Sequence, residues 1–300
     1  MTDALRPTSE ISPRASRFPY RIDTFPSAAV PSRSDSISSI LRGDLDGFVV
    51  SDFLSAGECA GLIKGFRALQ DRERVRADVG IHSYPMAFAQ MDQMVREQKM
   101  TAREYHERAR TFREGFASRF GVDLERRLGA LFEGLASGIK TAVPEDLAGC
   151  GSFVPFTFRE LLPGVGTLKA HCERLFFQEF PSFFERLMHF TDNEALLSFF
   201  IVLQRPGRGG ALALYDLIWR PGQKRPTDFD IRHPDGACVN VDDVEALPQQ
   251  RLSPSTGALV VFSGGKIWHR VDLTETAPSR ITIGGFLSFS PDVRRMYLWS

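Results

Sequence analysis

Apolar residues recur at helical spacing through the first half of the chain and at strand spacing through the second. Asp46-Gly47-Phe48-Val49-Val50 reads as a short strand. Asp52 or Ser55 can then cap a helix whose buried face is Ala60, Leu62, Ile63, Phe66 and Leu69. From about Met86 to Gly138 the pattern predicts further helices. Thr101 and Glu104 stand at capping-box spacing, and Leu124, Leu128, Leu131, Phe132 and Leu135 recur every three or four residues. The Arg and Glu residues between them read as a solvated face.

After Pro144 the character changes. Strands are predicted at Ser152–Leu161, Ala195–Gln204, Ala211–Trp219, Ala258–Ser263, Ile267–Leu273 and Ile281–Ser290, with a shorter one at Cys238–Val241. Mostly compact turns join them and no helical crossover intervenes, which points to an antiparallel sandwich or jelly roll. Residues 46–300 are expected to form one domain, with a mainly helical layer over 46–150 and a β core over 151–291. The polar stretch 220–256 is too long for a hairpin loop and is a candidate lid, joined by the region around His82–Met94. The first forty residues hold five Pro and nine Ser with no sustained period, so residues 1–45 are expected to be an extended or partly disordered arm.

Composition narrows the function classes. Thirty-seven basic residues balance thirty-seven acidic ones, so no global field gathers nucleic acid or an anionic membrane. No apolar run approaches the ~18–20 residues of a membrane span, and the N-terminus lacks a secretory pattern. Four scattered cysteines suit a reducing cytosol, so a cytoplasmic location is expected. The 25 phenylalanines favour an aromatic core over an aromatic pocket.

Phosphate loops, dinucleotide fingerprints and nucleophile elbows are missing. What remains is His171-Cys172-Glu173 at the end of a strand-like run and Trp268-His269-Arg270 on a later strand, with Arg280 beyond. Side chains two apart on an extended segment share a face, so His171 and Glu173 point together while Cys172 points away. A carboxylate beside a histidine suits a metal better than a core, since burial of the charge would otherwise be costly. With His269 they make a 2-His-1-carboxylate set, the mark of non-haem Fe(II) oxygenases. His82, His106, His189 and His233 have no partner at ligand spacing and read as non-metal.

On these residues the chain resembles the Fe(II)/2-oxoglutarate-dependent oxygenases over 151–291, with a weaker echo in Asp46–Leu54. The resemblance implies an α+β fold with a mainly β core: a double-stranded β-helix (jelly roll) under an N-terminal helical layer. It implies Fe(II), 2-oxoglutarate and O2 as cofactors, with His171, Glu173 and His269 as metal ligands. Arg280 would grip the distal carboxylate of 2-oxoglutarate with its planar fork. Phe156-Thr-Phe-Arg-Glu-Leu-Leu-Pro-Gly164 is similar to members acting on free amino acids and related small metabolites. Many members carry Asp where this chain has Glu173. Relatives that halogenate have Gly or Ala there, which opens a site for halide, so Glu173 argues against halogenation.

The surroundings are less determinate. Tyr215 is open to a cofactor hydrogen bond or to core packing. Arg159 and Arg174 flank the HxE and are open to a substrate carboxylate or a structural role. Phe176, Phe177 and Trp219 are pocket or core. The expected reaction is hydroxylation, desaturation or ring closure of a small amino-acid-like substrate. Two rivals stand beside it: a non-catalytic sensor or binding module, and a cupin-like isomerase or lyase that keeps the metal but has no use for Arg280.

Overall fold

The computed structural model describes residues 18–70, 73–146, 151–180, 185–187, 191–220, 224–227, 230–232 and 238–300. Its first half runs β1 (Ile22–Phe25), α1 (Ser36–Arg42), β2 (Gly47–Val50), α2 (Ala56–Arg67), β3 (Val75–Asp78), β4 (Ile81–Tyr84), α3 (Phe88–Arg96), α4 (Ala102–Phe120), α5 (Leu124–Leu135) and β5 (Lys140–Ala142). Then come β6 (Thr157–Leu161), β7 (Leu168–His171), α6 (Phe176–Glu179), β8 (Asp192–Gln204), β9 (Arg208–Gly209), β10 (Leu212–Ile218), β11 (Lys224–Thr227), β12 (Asp230–Arg232) and β13 (Cys238–Asn240). The chain closes with α7 (Val241–Ala246), β14 (Gln249–Leu252), β15 (Leu259–Phe262), β16 (Ile267–Val271), β17 (Thr274–Thr276), β18 (Arg280–Phe289) and β19 (Arg295–Trp299).

Local chemistry sets the helix starts. Ser55 and Thr101 each accept from the backbone three residues on, and Glu58 and Glu104 reach back to the cap, so both capping boxes are closed. Gly121 ends α4 in the left-handed region, φ +76°. The leucine face of α5 is buried as its spacing requires.

Two sheets carry the architecture. The larger has ten strands along the path β1-β2-β15-β8-β18-β6-β4-β3, with β19 beside β18 and β5 beside β19. The smaller runs β14-β10-β16-β7. On β18, Ile281 and Ile283 join a core with Leu62, Phe66, Phe116, Leu128 and Phe132 of the helices. Phe66 stacks on Phe158 at 5.1 Å, and Phe132 meets Phe199 edge-on at 5.4 Å. The helices therefore cover one face of the large sheet. The other face meets the small sheet through Val49, Val260 and Phe262 packed on Leu212 and Leu214. A sheet covered on both faces buries both sides of its strands, which explains the near-continuous apolar runs of β8 and β15.

Several expectations need correction. Residues 18–45 are not an extended arm: β1 pairs parallel with β2, and α1 buries Ile37 and Ile40. Residues 1–17 lie outside the described residues. The region around His82–Met94 is not a lid, since β4 is paired in the large sheet and Phe88 and Met91 of α3 are buried. The candidate lid 220–256 is too wide, because β14 belongs to the small sheet. Within it, residues 221–223, 228–229 and 233–237 lie outside the described residues.

Candidate metal centre

β7 and β16 are antiparallel neighbours, and His171 stands directly opposite His269. Directly paired residues share a sheet face, so both imidazoles project to the inner side with their ring centroids 4.3 Å apart. Beyond His171 the backbone stays extended at Cys172, then turns into a short 3-10 segment that starts at Glu173. The alternation holds: Cys172 Sγ points away, donating to the Gly265 carbonyl at 3.1 Å, and Glu173 returns to the side of His171. His171, Glu173 and His269 bring one ligand atom each within 4.8 Å of one another.

The ring nitrogens are already sorted. Nδ1 of His171 faces the Lys169 carbonyl at 2.7 Å, and Nδ1 of His269 faces the Ile267 carbonyl at 2.8 Å. A carbonyl only accepts, so each Nδ1 carries a proton and leaves the Nε2 lone pair for a metal. Glu173 is buried; Oε1 accepts from the Ser198 hydroxyl at 2.5 Å, and Oε2 has no hydrogen-bond partner. A buried carboxylate oxygen without a donor is costly unless a cation serves it. The donor set therefore fits a divalent metal of the Fe(II) type.

The longer side chain of Glu173 is accommodated by Gly264. A Cβ at that position would lie 2.7 Å from both carboxylate oxygens and 2.1 Å from Ser198 Oγ. Neither Gly264 nor Ser198 was legible as part of a site. The one trace is a lone serine inside the apolar run of β8.

Electrostatics follow from burial and proximity. Burial, with His269 beside it, brings His171 down to about 3. Burial opposes charge on His269 too, but Glu173 outweighs it and raises His269 above its ordinary value. Burial pushes Glu173 upward, yet the two histidines and Ser198 hold it below the usual carboxylate value.

Two guanidiniums share the inner face. Thr282 pairs with Arg159, and Arg280 stands two residues before it on β18. Arg280 lies over the Phe200 ring at 5.3 Å and reaches Thr282 Oγ1 at 3.5 Å. Burial and the nearby Arg159 lower it to about 9. Burial also lowers Arg159, against the pull of Glu173. No carboxylate among the described residues lies within ion-pair distance of either. Two neighbouring guanidiniums without an ion-pair partner are suited to receive anions. Phe176 stacks against His171 at 5.8 Å and touches Phe286 at 6.2 Å, on the rim of the site. Phe177 packs with the large-sheet core.

Three expected neighbours lie elsewhere. Leu214 is the residue opposite His269, so Tyr215 faces outward, and its hydroxyl donates to Glu245 Oε1 at 2.6 Å. Trp219 packs outside the small sheet against Cys172, Leu175 and Trp268. Arg174 covers the Trp219 ring at 4.7 Å. Strand parity decides the placement of Tyr215 and Trp219, while Arg174 follows the 3-10 turn after Cys172. His82 and His106 sit on Glu160 and Asp146, away from the centre, while His189 and His233 lie outside the described residues.

A family model for the carrier-protein-independent halogenase WelO5 matches residues 20–300. The chain belongs to this family. WelO5-type membership agrees with the resemblance to Fe(II)/2-oxoglutarate-dependent enzymes, and Fe(II) and 2-oxoglutarate are the cofactors that the donor set fits. No curated protein matches the chain. Among solved structures it is similar to an N-substituted L-amino acid dioxygenase from Burkholderia ambifaria AMMD: TM-score 0.51, 18% identity, covering 88% of this chain and 91% of that one. It is also similar to a Pseudomonas putida prolyl-4-hydroxylase: TM-score 0.41, 15% identity, covering 86% and 96%. The first of these is a likeness of fold.

Proposed function

We propose that this member of the WelO5 family is an oxygenase and not a halogenase. It oxidises an unactivated C–H bond of a small amino-acid-like metabolite, by hydroxylation, desaturation or ring closure, and forms succinate and CO2. The observation that carries this reading is Glu173, a buried carboxylate with one oxygen unserved, gathered with His171 and His269 so that one ligand atom of each lies within 4.8 Å of the others. The family description alone favours halogenation. A halide needs the position that Glu173 fills.

His171, Glu173 and His269 would hold the iron, which with 2-oxoglutarate supplies O2 activation. The chain's own residues supply the rest. Ser198 orients Glu173, and the two backbone carbonyls fix the histidine tautomers. Arg280 binds the distal carboxylate of 2-oxoglutarate, and Arg159 takes a carboxylate of the substrate beside the metal. Phe176, Phe200 and Phe286 exclude water and bound the volume open to the substrate. The two facing sheets are read as a double-stranded β-helix, with the helices as its outer layer. Among the described residues no helix is long and apolar enough to cross a membrane. We place the enzyme in the cytoplasm, acting on free small molecules.

The test begins with an anaerobic titration of the protein with Fe(II) and then 2-oxoglutarate, following the visible band of the chelate. Free and N-substituted amino acids are then screened aerobically, with chloride present, for succinate and for product mass. Gain of oxygen or loss of two hydrogens supports the proposal. Replacement of hydrogen by chlorine overturns it. Iron binding without a band points to cupin-like chemistry, and binding of neither points to a non-catalytic module.

A further inference from the structure

At the end of the gap between the sheets lies a recess of about 180 Å³, beside Arg280. Val202 and Arg280 line it from the large sheet, Leu252 from the small one, Arg208 from β9, and Arg205 and Ser253 from the loops around its mouth. No acidic residue is among its lining residues. Arg208 is paired with Glu275 at 2.7 Å across the surface, whereas Arg205 is exposed.

Arg280 is held from one side only. Its guanidinium rests on Phe200 and reaches Thr282 at 3.5 Å, with no carboxylate behind it among the described residues. Its stem passes Gly210, where a Cβ would sit 3.0 Å from Arg280 Cδ, and Gly210 has φ +67°. A side chain there would crowd the stem, and the glycine leaves it room. The stem of Arg280 is therefore backed by open volume without an acidic lining residue.

In a closed apolar pocket one extra methylene changes affinity by about 10- to 200-fold. Here the volume behind the guanidinium is several times the ~30 Å³ of one water molecule. We propose that the Arg280 side chain has room to draw back into this recess, so that its seat accepts 2-oxo dicarboxylic acids one methylene longer than 2-oxoglutarate, with the exposed Arg205 adding positive potential there. This rests on the placement of the 2-oxoglutarate distal carboxylate on Arg280.

The experiment is an anaerobic titration of the Fe(II)-loaded full chain with 2-oxoglutarate and, separately, with 2-oxoadipate, following the chelate band. Both acids are expected to give the band, with half-saturation within about tenfold of each other. Ser253→Trp, an exposed substitution that fills the recess, should raise the 2-oxoadipate value by about tenfold more than the 2-oxoglutarate value. Circular dichroism checks that this variant is folded, and Pro254→Phe serves as a second filling variant. A band with 2-oxoglutarate and none with 2-oxoadipate overturns the proposal, as does an equal effect of both filling variants on both acids. Absence of a band with either acid would instead overturn the placement of the cosubstrate, and the proposal with it.

Discussion

Nε2 of His269 lies 3.2 Å from Oε1 of Glu173, close enough for an ion pair whenever the metal is absent. Burial opposes it, but Glu173 still lifts His269 above 6.5. That stabilising contribution is complete below pH 6.5 and is lost as pH rises through the raised folded value. The Glu173 contribution is present above 4.5 and is lost as pH falls through its lowered value. His171 acts in the opposite sense. Its folded pKa of about 3 means that below pH 6.5 the unfolded chain takes up a proton that the folded chain refuses. Thermal melts of the metal-free protein should therefore show stability falling from pH 6.5 toward 3, less steeply in His171→Ala. Below the raised His269 value iron binding displaces its proton, so calorimetry in two buffers at or below pH 6.5 should detect proton release, and affinity should rise with pH there.

Glu173→Gly removes the proposed carboxylate ligand and leaves an open position beside two imidazoles. Iron affinity should fall by more than the ~10- to 100-fold typical of losing an outer partner, the loss expected for Ser198→Ala. Chloride should shift the chelate band of Glu173→Gly and leave the wild-type band unmoved. A chloride response in the wild type would contradict the role given to Glu173.

Gly264→Ala forces a methyl group against Ser198 Oγ and both Glu173 oxygens. The expected cost is ~1–3 kcal/mol in chemical denaturation, with weakened iron binding. Removing the serine hydroxyl relieves the closest of these contacts. Ser198→Ala combined with Gly264→Ala should thus be less destabilised than the sum of the single variants.

Tyr215→Phe tests the outward face of β10. The hydroxyl bond to Glu245 should be worth ~1 kcal/mol of stability, while affinity for 2-oxoglutarate stays as in the wild type. Arg280→Lys should weaken that affinity markedly, since an ammonium cannot reproduce a planar two-pronged contact. A loss of cosubstrate binding in Tyr215→Phe would return that residue to the site.

The grouping of His171 with Glu173 was legible because period-two alternation is a local property: the two must share a face wherever the segment is extended. Register is not local. Whether Leu214 or Tyr215 faces inward depends on which residue of β10 lies opposite His269, and only the assembled sheet decides that. Ser198 and Gly264 entered the site through the same long-range pairing. The helices at 56–67 and 102–120 were legible from capping boxes and apolar faces. By contrast, α1 was hidden because Ser36, Ser38 and Ser39 are buried by tertiary packing that no periodicity announces. β1 is four residues long with one buried side chain, and its existence depends on β2 being available to pair with it.

That pairing has a practical side. β1 is the outermost strand next to β2, and just before it the Tyr20 hydroxyl donates to the Tyr215 carbonyl of the opposite sheet at 2.6 Å. A shortened chain beginning at Asp46 would lose that cross-brace and bare the backbone donors and acceptors of a fully buried, apolar strand. Bare strand edges recruit other strands. Such a chain should come out of expression as inclusion bodies or as sheet-joined multimers, while one beginning at Phe18 should stay dispersed.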